Sequence, residues 1–106
     1  MRSLLVNWAL EKSDHRQCLH AAAVVKNSRV LGLGYNHDWI HAEGMAMGQA
    51  GPNCKGATLY SLRVNRYGEL RMAQPCMKCT RRAIDAGINN VLYSVDYQGA
   101  WAGLQL

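Results

Sequence analysis

The sharpest chemical feature of the chain is Pro75-Cys76-Met77-Lys78-Cys79. With Pro75 directly before it, Cys76 falls at or next to a helix start. Cys79 follows three residues later on the same helical face, so both sulfurs can reach one ion. A helix N-terminus and neighbouring cations are expected to lower the thiol pKa values and to favour the thiolates that zinc binds. Two sulfurs alone do not make a site: a CxxC pair in a small chain reads as a redox dithiol, as half of a structural zinc knuckle, or as part of a catalytic zinc centre. A second feature is His41-Ala42-Glu43, set in a stretch of helical pattern and separated from the cysteines by one strand-like segment. Taken singly, His41 reads as an ordinary partly buried histidine and Glu43 as a solvated charge.

Taken together, H-x-E and P-C-x-x-C in a helix, strand, helix context resemble the cytidine and deoxycytidylate deaminase superfamily of zinc enzymes. The resemblance runs from about Trp8 to Tyr93, with AAAVVKNSRVLGLGYN before the first motif, GATLYSL as the intervening strand and AIDAGINNVLYS after the second. It implies a Zn2+ held by His41, Cys76 and Cys79, one nitrogen and two sulfurs, which leaves the fourth tetrahedral position for water as a catalytic zinc requires. The metal brings the pKa of that water toward neutrality. A carboxylate beside it must take the water proton, protonate the ring nitrogen and deliver a proton to the departing ammonia, and the resemblance gives this shuttle to Glu43, which does not ligate. Asn36, closing Gly34-Tyr35-Asn36, matches the residue that contacts the substrate sugar, with a plain turn residue as its alternative. Ala42 matches the residue whose backbone N–H meets the base carbonyl. The implied fold is a five-stranded sheet with helices on both sides and the zinc between two helix N-termini.

A histidine at the first ligand position sets the chain apart from the small all-cysteine cytidine deaminases and beside the nucleotide, transfer-RNA, riboflavin-pathway and polynucleotide branches. Transfer-RNA adenosine deaminases usually run their strand into the second motif as LEPC. Here Arg63 to Gln74 intervene and end in MAQPC, which weighs against adenosine. Ser13, Arg16, the AVV strand and GLGYN resemble the deoxycytidylate branch, although only His37, Asp38, Trp39 and Ile40 stand between Gly-Tyr-Asn and HAE, so the cover over the base must differ. His37 and Trp39 on that connection are candidates to line the pocket. Stacking of Trp39 on a base would contribute roughly 1 to 3 kcal/mol, and packing against the second helix is its alternative. Arg63, Arg66 and Arg71, read as part of a long loop, are candidates to hold a 5′-phosphate or a nucleic-acid backbone. Cys18 and Cys54 read as buried small hydrophobes, with Cys54, after a Gly-Pro-Asn turn, as a candidate further contact to the metal.

The elements that must position these residues follow from hydrophobic period and turn chemistry. Ser3 caps a first amphipathic helix with Leu4, Leu5, Trp8 and Ala9 on one side. Cys18 to Val25 and Arg29 to Gly34 form a hairpin about Lys26-Asn27-Ser28. A helix spans Asp38 to Ala50, a strand Ala57 to Val64, a helix Cys76 to Ala86 closed by Gly87, and a strand Ile88 to Val95. Asp96 to Leu106 carries no readable pattern. The order predicts an α/β fold, a three-layer α/β/α cytidine-deaminase-like domain with a mixed sheet of about five strands, residues 1–106 forming a single zinc deaminase domain.

The chain has 106 residues, 49% of them hydrophobic and 18% charged, which is far from the disordered regime. It carries no apolar run near the roughly 20 residues that a span needs and no secretory apolar block, so a cytoplasmic protein with no membrane partner is expected. Its +5 net charge is uneven. Between Lys55 and Arg82 lie seven basic residues and one acid, Glu69. This stretch reads as a solvated basic face or as a phosphate-binding one, and it leaves nucleic acid a possible partner. The expected activity is hydrolytic deamination of a cytosine base in a free nucleoside or nucleotide. The alternatives are a base in single-stranded DNA or RNA, and a non-catalytic zinc-binding module closed by Cys54 or His37. A homo-oligomer is expected, with Tyr97, Trp101, Leu104 and Leu106 as a candidate surface that could equally pack on its own core.

Overall fold

The segment around Ala21 to Val24 is made of small and β-branched residues, and these set the centre of the molecule. In the computed structural model, which describes residues 1–13, 18–38, 40–95 and 101–106, they lie in β1 (Leu19–Lys26). This strand pairs antiparallel with β2 (Arg29–Tyr35) on one side and β3 (Thr58–Val64) on the other. The β1–β2 turn holds Asn27 and Ser28 at φ 53° and 64°, the paired left-handed conformation whose twist suits a two-residue hairpin. Parallel pairing of β3 with β5 (Asn90–Ser94) and antiparallel pairing of β5 with β6 (Trp101–Gln105) complete the path β2-β1-β3-β5-β6. A short β4 (Leu70–Arg71) pairs with the end of β3, so the mixed sheet has six strands.

Three helices cover this sheet. The first, α1 (Arg2–Lys12), buries Leu5 and Ala9 with Leu19, Ala21, Ala23, Leu62, Val64 and Leu70 on one face. On the other face α2 (Ala42–Ala50) and α3 (Met77–Asp85) close a core that includes Ala22, Val24, Ala46, Leu59, Ala83 and Val91. The three-layer α/β/α arrangement is the expected one. A Cβ on Gly32 or Gly34 would run into the carbonyls of Ala46 or Ala42, so these glycines let α2 lie directly on the backbone of β2. The crossover from β3 through α3 to β5 makes the parallel pair, and it carries the CxxC segment to the same end of the sheet as the start of α2. The third helix ends as anticipated, with Gly87 at φ 84° after the C-cap Ala86.

Several expectations are corrected. The first helix begins at Arg2 with Met1 as N-cap and no side-chain cap, so Ser3 is inside it. Leu4 is exposed. The second helix begins at Ala42: His37 and Ile40 exchange backbone hydrogen bonds of 2.8 and 3.2 Å, an antiparallel bridge in place of a helical turn, and His41 stands in extended backbone as the N-cap. Arg63 and Arg71 lie in strands, not in a loop. The tail forms an edge strand, with Trp101 edge-on to Tyr60 at 5.5 Å and Leu104 packed on the core. These two residues therefore pack on their own domain. Tyr97 and Arg16 lie outside the described residues. Among the described residues no helix is long and apolar enough to cross a membrane.

Candidate metal centre and substrate cavity

His41 and Cys76 each stand at the N-cap of a helix, in extended backbone, and Cys79 lies one turn into α3. Both helices thus start at one place, a consequence of the β3-to-β5 crossover described above. His41 Nδ1 is 3.3 Å from Cys79 Sγ and 4.0 Å from Cys76 Sγ. All three ligand atoms lie within 4.8 Å of one another. Donors bound tetrahedrally to zinc at 2.0 to 2.3 Å stand roughly 3.5 to 4 Å apart, so the triad fits one such ion. Cys54 is not part of this group: it is buried, and its thiol lies 3.5 Å from the Met47 carbonyl. Cys18 is exposed rather than buried.

The Cys79 thiol does not show the depression expected at a helix N-terminus. Burial, with Glu43 and Cys76 close by, pushes Cys79 up to about 12, and only Arg82 acts in the opposite direction. Desolvation outweighs the helix end here. Metal ligands bind after losing their protons, so occupancy of this site is coupled to release of the Cys79 proton.

Glu43 sits two residues past His41 on α2 and is 2% exposed, far from the solvated charge that its type alone suggests. Burial raises its pKa, opposed by a hydrogen bond from its own backbone and by His41 and Arg63. Among the described residues its Oε1 has no hydrogen-bond partner. Nδ1 of His20 lies 3.6 Å from it. His20, in β1, escaped the reading of the sequence. The available signal was a histidine inside the otherwise apolar run LHAAAVV.

A cavity of about 250 Å³ is walled by Cys18, His20, Asn36, Asp38, Ile40, His41 and Arg63, so that His20, 3.6 Å from this carboxyl, stands between the two. Asn36 is heavily engaged. Its Oδ1 accepts from the Ser13 hydroxyl and, at 3.0 Å, from the His20 amide, while its Nδ2 donates to the Cys18 carbonyl at 2.7 Å. It ties the end of β2 to the start of β1, and among the described residues its second N–H has no acceptor. Ala42 is at the first position of α2, where an N–H has no acceptor within the helix. Arg63 reaches the cavity and its Nε is buried without a partner.

Other expected contacts fall elsewhere. Arg66 is exposed in the β3–β4 turn. Arg71 bonds the Leu70 carbonyl and lies 4.0 Å from Glu69. Neither lines the cavity. The ring of His37 is edge-on to Tyr35 and pairs with Asp38 at 3.3 Å, leaving the wall to Asp38 and Ile40. Trp39 lies outside the described residues. The basic stretch is also dispersed. Lys55 lies at the opposite end of the sheet, where its carbonyl accepts from Lys26, while Lys78 and Arg82 line a second groove of about 550 Å³ between α2 and α3.

The family model for the cytidine and deoxycytidylate deaminase zinc-binding region matches residues 2–95. The chain belongs to this family. The family model is that of a zinc-binding region, and His41, Cys76 and Cys79 form a donor group that can hold such an ion. The riboflavin biosynthesis protein RibD of Aquifex aeolicus is 39% identical over 79 residues, 67% of this chain and 19% of that protein. The chain therefore spans about a fifth of that curated relative. Two solved structures share the fold. One is a diaminohydroxyphosphoribosylaminopyrimidine deaminase/5-amino-6-(5-phosphoribosylamino)uracil reductase of Thermotoga maritima, with TM-score 0.60, 24% identity, 87% of this chain and 27% of that one. The other is a dCMP deaminase of the cyanophage S-TIM5, with TM-score 0.59, 19% identity, 89% of this chain and 82% of that one.

Proposed function

We propose that this deaminase domain hydrolyses the exocyclic amine of a cytosine base in a free nucleoside or nucleotide, giving the uracil product and ammonia. The observation that carries the reading is the juxtaposition of a three-donor zinc site with a buried carboxyl, Glu43, two residues past His41 and 3.6 Å from His20, both of which wall a cavity of about 250 Å³. A specific observation favours a second substrate within the same chemistry. The 39% identity to RibD points to a pyrimidine that carries an amine and a phosphoribosylamino group, the class in the printed name of the Thermotoga protein.

His41, Cys76 and Cys79 would hold the metal, and zinc in that triad supplies Lewis acidity that brings the pKa of a water toward neutrality. Glu43 moves the protons. It accepts one from the attacking water and gives it to the ring nitrogen, then accepts the second and gives it to the amine as the C–N bond breaks. The oxygen becomes the ring carbonyl, and the amine leaves as ammonia. The backbone N–H of Ala42 is free to meet the base carbonyl, and the remaining N–H of Asn36 to meet the sugar. Arg63, with its unpartnered buried Nε, is the candidate for a phosphate or polar substituent at the cavity edge. Dispersal of the other basic residues argues against a continuous nucleic-acid track. The proposal treats residues 1–106 as one domain that self-associates, which sedimentation velocity measures.

The test is ammonia release by zinc-loaded protein from cytidine, deoxycytidylate, its triphosphate, a diaminopyrimidine phosphoribosylamine, a cytosine-bearing single-stranded oligonucleotide and transfer RNA. Turnover of a free nucleoside or nucleotide is expected, with an affinity that changes little with salt. Steep salt dependence with the oligonucleotide as best substrate would replace this reading by the polynucleotide one. No release from any of them would overturn it.

A further inference from the structure

His20 is the one polar side chain in the buried run Leu19–Val24, and it is 3% exposed. Its Nε2 lies 2.7 Å from Ser61 Oγ, itself fully buried on β3. Ser61 Oγ in turn lies 2.8 Å from the Ala73 carbonyl, to which it donates. A serine hydroxyl has one proton and a carbonyl has none. With that proton directed to Ala73, Ser61 Oγ is an acceptor toward His20, and the ring must carry its own proton on Nε2. This accounting assigns the tautomer. Nδ1 then bears the lone pair, and it faces Oε1 of Glu43, the oxygen that has no hydrogen-bond partner, at 3.6 Å.

Two acceptors set face to face in a dry site repel each other unless one of them carries a proton. The ring's own proton is committed to Ser61 through Nε2, so a neutral ring leaves Nδ1 bare, and a proton between Nδ1 and Oε1 is one that the carboxyl carries. Burial, with Arg63 and His41 nearby, acts in the same sense and pushes His20 down to about 3.

Building on the deaminase reading above, we propose that His20 is a positioning residue for the reaction: its Nδ1 lone pair receives and aligns the Glu43 carboxyl through Oε1 while that carboxyl carries the shuttled proton. The proton comes from the attacking water, rests on Oε1 against Nδ1 and leaves to the ring nitrogen. The second proton follows the same route to the departing ammonia. His20 gains no proton at any stage and forms no bond to substrate. Ser61 and the Ala73 carbonyl keep the ring in the one tautomer that can serve.

Long-range proton–nitrogen correlation NMR on the zinc-loaded wild type reads the tautomer without turnover. A protonated Nε2 with a bare Nδ1 is expected, and a protonated Nδ1 would overturn the proposal. Kinetics of His20→Asn and His20→Gln then separate the two ends of the ring. The Asn carbonyl oxygen occupies the Nδ1 position and keeps an acceptor at Glu43, whereas Gln reaches Ser61 and removes it. His20→Gln is expected to lower kcat roughly 10- to 100-fold, the usual consequence of losing an orienting partner, with KM and zinc stoichiometry unchanged. His20→Asn should recover most of that loss. Equal losses in both variants, or a change confined to KM, would overturn the proposal. Ser61→Ala, which leaves the ring in place but frees its tautomer, gives a third reading if either His20 variant misfolds, and a kcat equal to wild type would count against the role. If the wild type itself releases no ammonia from any substrate of the panel, the deaminase reading falls and the proton role with it. A failed tautomer or variant result in an active enzyme overturns the His20 inference alone.

Discussion

The two faces of the sheet are packed by different means. Under α1 the contact is branched and voluminous: Leu5, Leu19, Leu62, Val64 and Leu70 fill it. Under α2 the contact is made of the smallest residues, Ala42, Ala46 and Ala50 on Gly32 and Gly34, and three buried polar groups, His20, Glu43 and Ser61, lie on that side. Large aliphatic side chains bury area, and their shapes tolerate exchange. Backbone lying on backbone buries less but leaves almost no play in where a helix begins. The α1 face therefore contributes mainly stability, and the α2 face contributes the position of His41 and Glu43.

The largest expected effect lies on the α2 face. Glu43→Ala should lower kcat by roughly 10²- to 10⁴-fold, the range of a general acid–base group, while zinc stoichiometry stays intact and the melting temperature does not fall. Loss of zinc in that variant would show that Glu43 supports the metal rather than the chemistry. Next is the acid response of the metal-free protein. The His20 pKa falls from 6.5 to about 3 on folding, so its neutral ring stabilises the fold above pH 6.5, and that contribution is lost as pH falls from 6.5 toward 3. By linkage it reaches at most about 5 kcal/mol. Glu43, whose pKa is raised, acts with the opposite sign, its contribution present in acid and lost as pH rises. Denaturant titrations in the Glu43→Ala background isolate the His20 component, which His20→Asn should abolish.

Across the sheet, Leu5→Ala should cost about 2 to 5 kcal/mol by leaving a cavity, with kcat unchanged below the melting transition. A fall in kcat there would erase the distinction between the faces. Gly34→Ala would set a Cβ against the Ala42 carbonyl oxygen and 2.7 Å from the Ala46 nitrogen, both backbone atoms, so α2 must shift, and a stability loss at or above the upper end of the about 1 to 3 kcal/mol overpacking range is expected. That variant should also lose more turnover than Leu5→Ala, because the shift displaces the turn that carries Glu43. Parallel melting curves and ammonia assays of the pair decide the point.

Much of the fold was legible because period and punctuation agree with it. Small and β-branched residues mark β1, and Gly87 marks the end of α3. The unread elements lack local signal. β4 has two residues, and β6 becomes a strand through its ladder with β5, its sequence WAGLQ having little alternation of its own. The early start predicted for α2 failed because the His37–Ile40 bridge competes with helix in that segment. Cys18 was misread because its neighbours are apolar, whereas it lies before the strand begins, at the cavity mouth. Arg63, Arg66 and Arg71 read alike as phosphate-binding candidates in the sequence, and only strand direction separates them, sending Arg63 to the cavity wall while Arg66 turns outward.

The sequence by itself determined the reactive groups and their local spacing. One helical turn sets Cys79 against Cys76, and two residues set Glu43 after His41, geometry that a short segment carries wherever it sits. Tertiary structure decided that the two motifs meet, since this needs the parallel β3–β5 crossover to bring both helix starts to one end of the sheet. It also decided the electrostatics. Desolvation of Glu43 and Cys79 and the fixed tautomer of His20 depend on every neighbour around them, and those neighbours come from four different strands and helices.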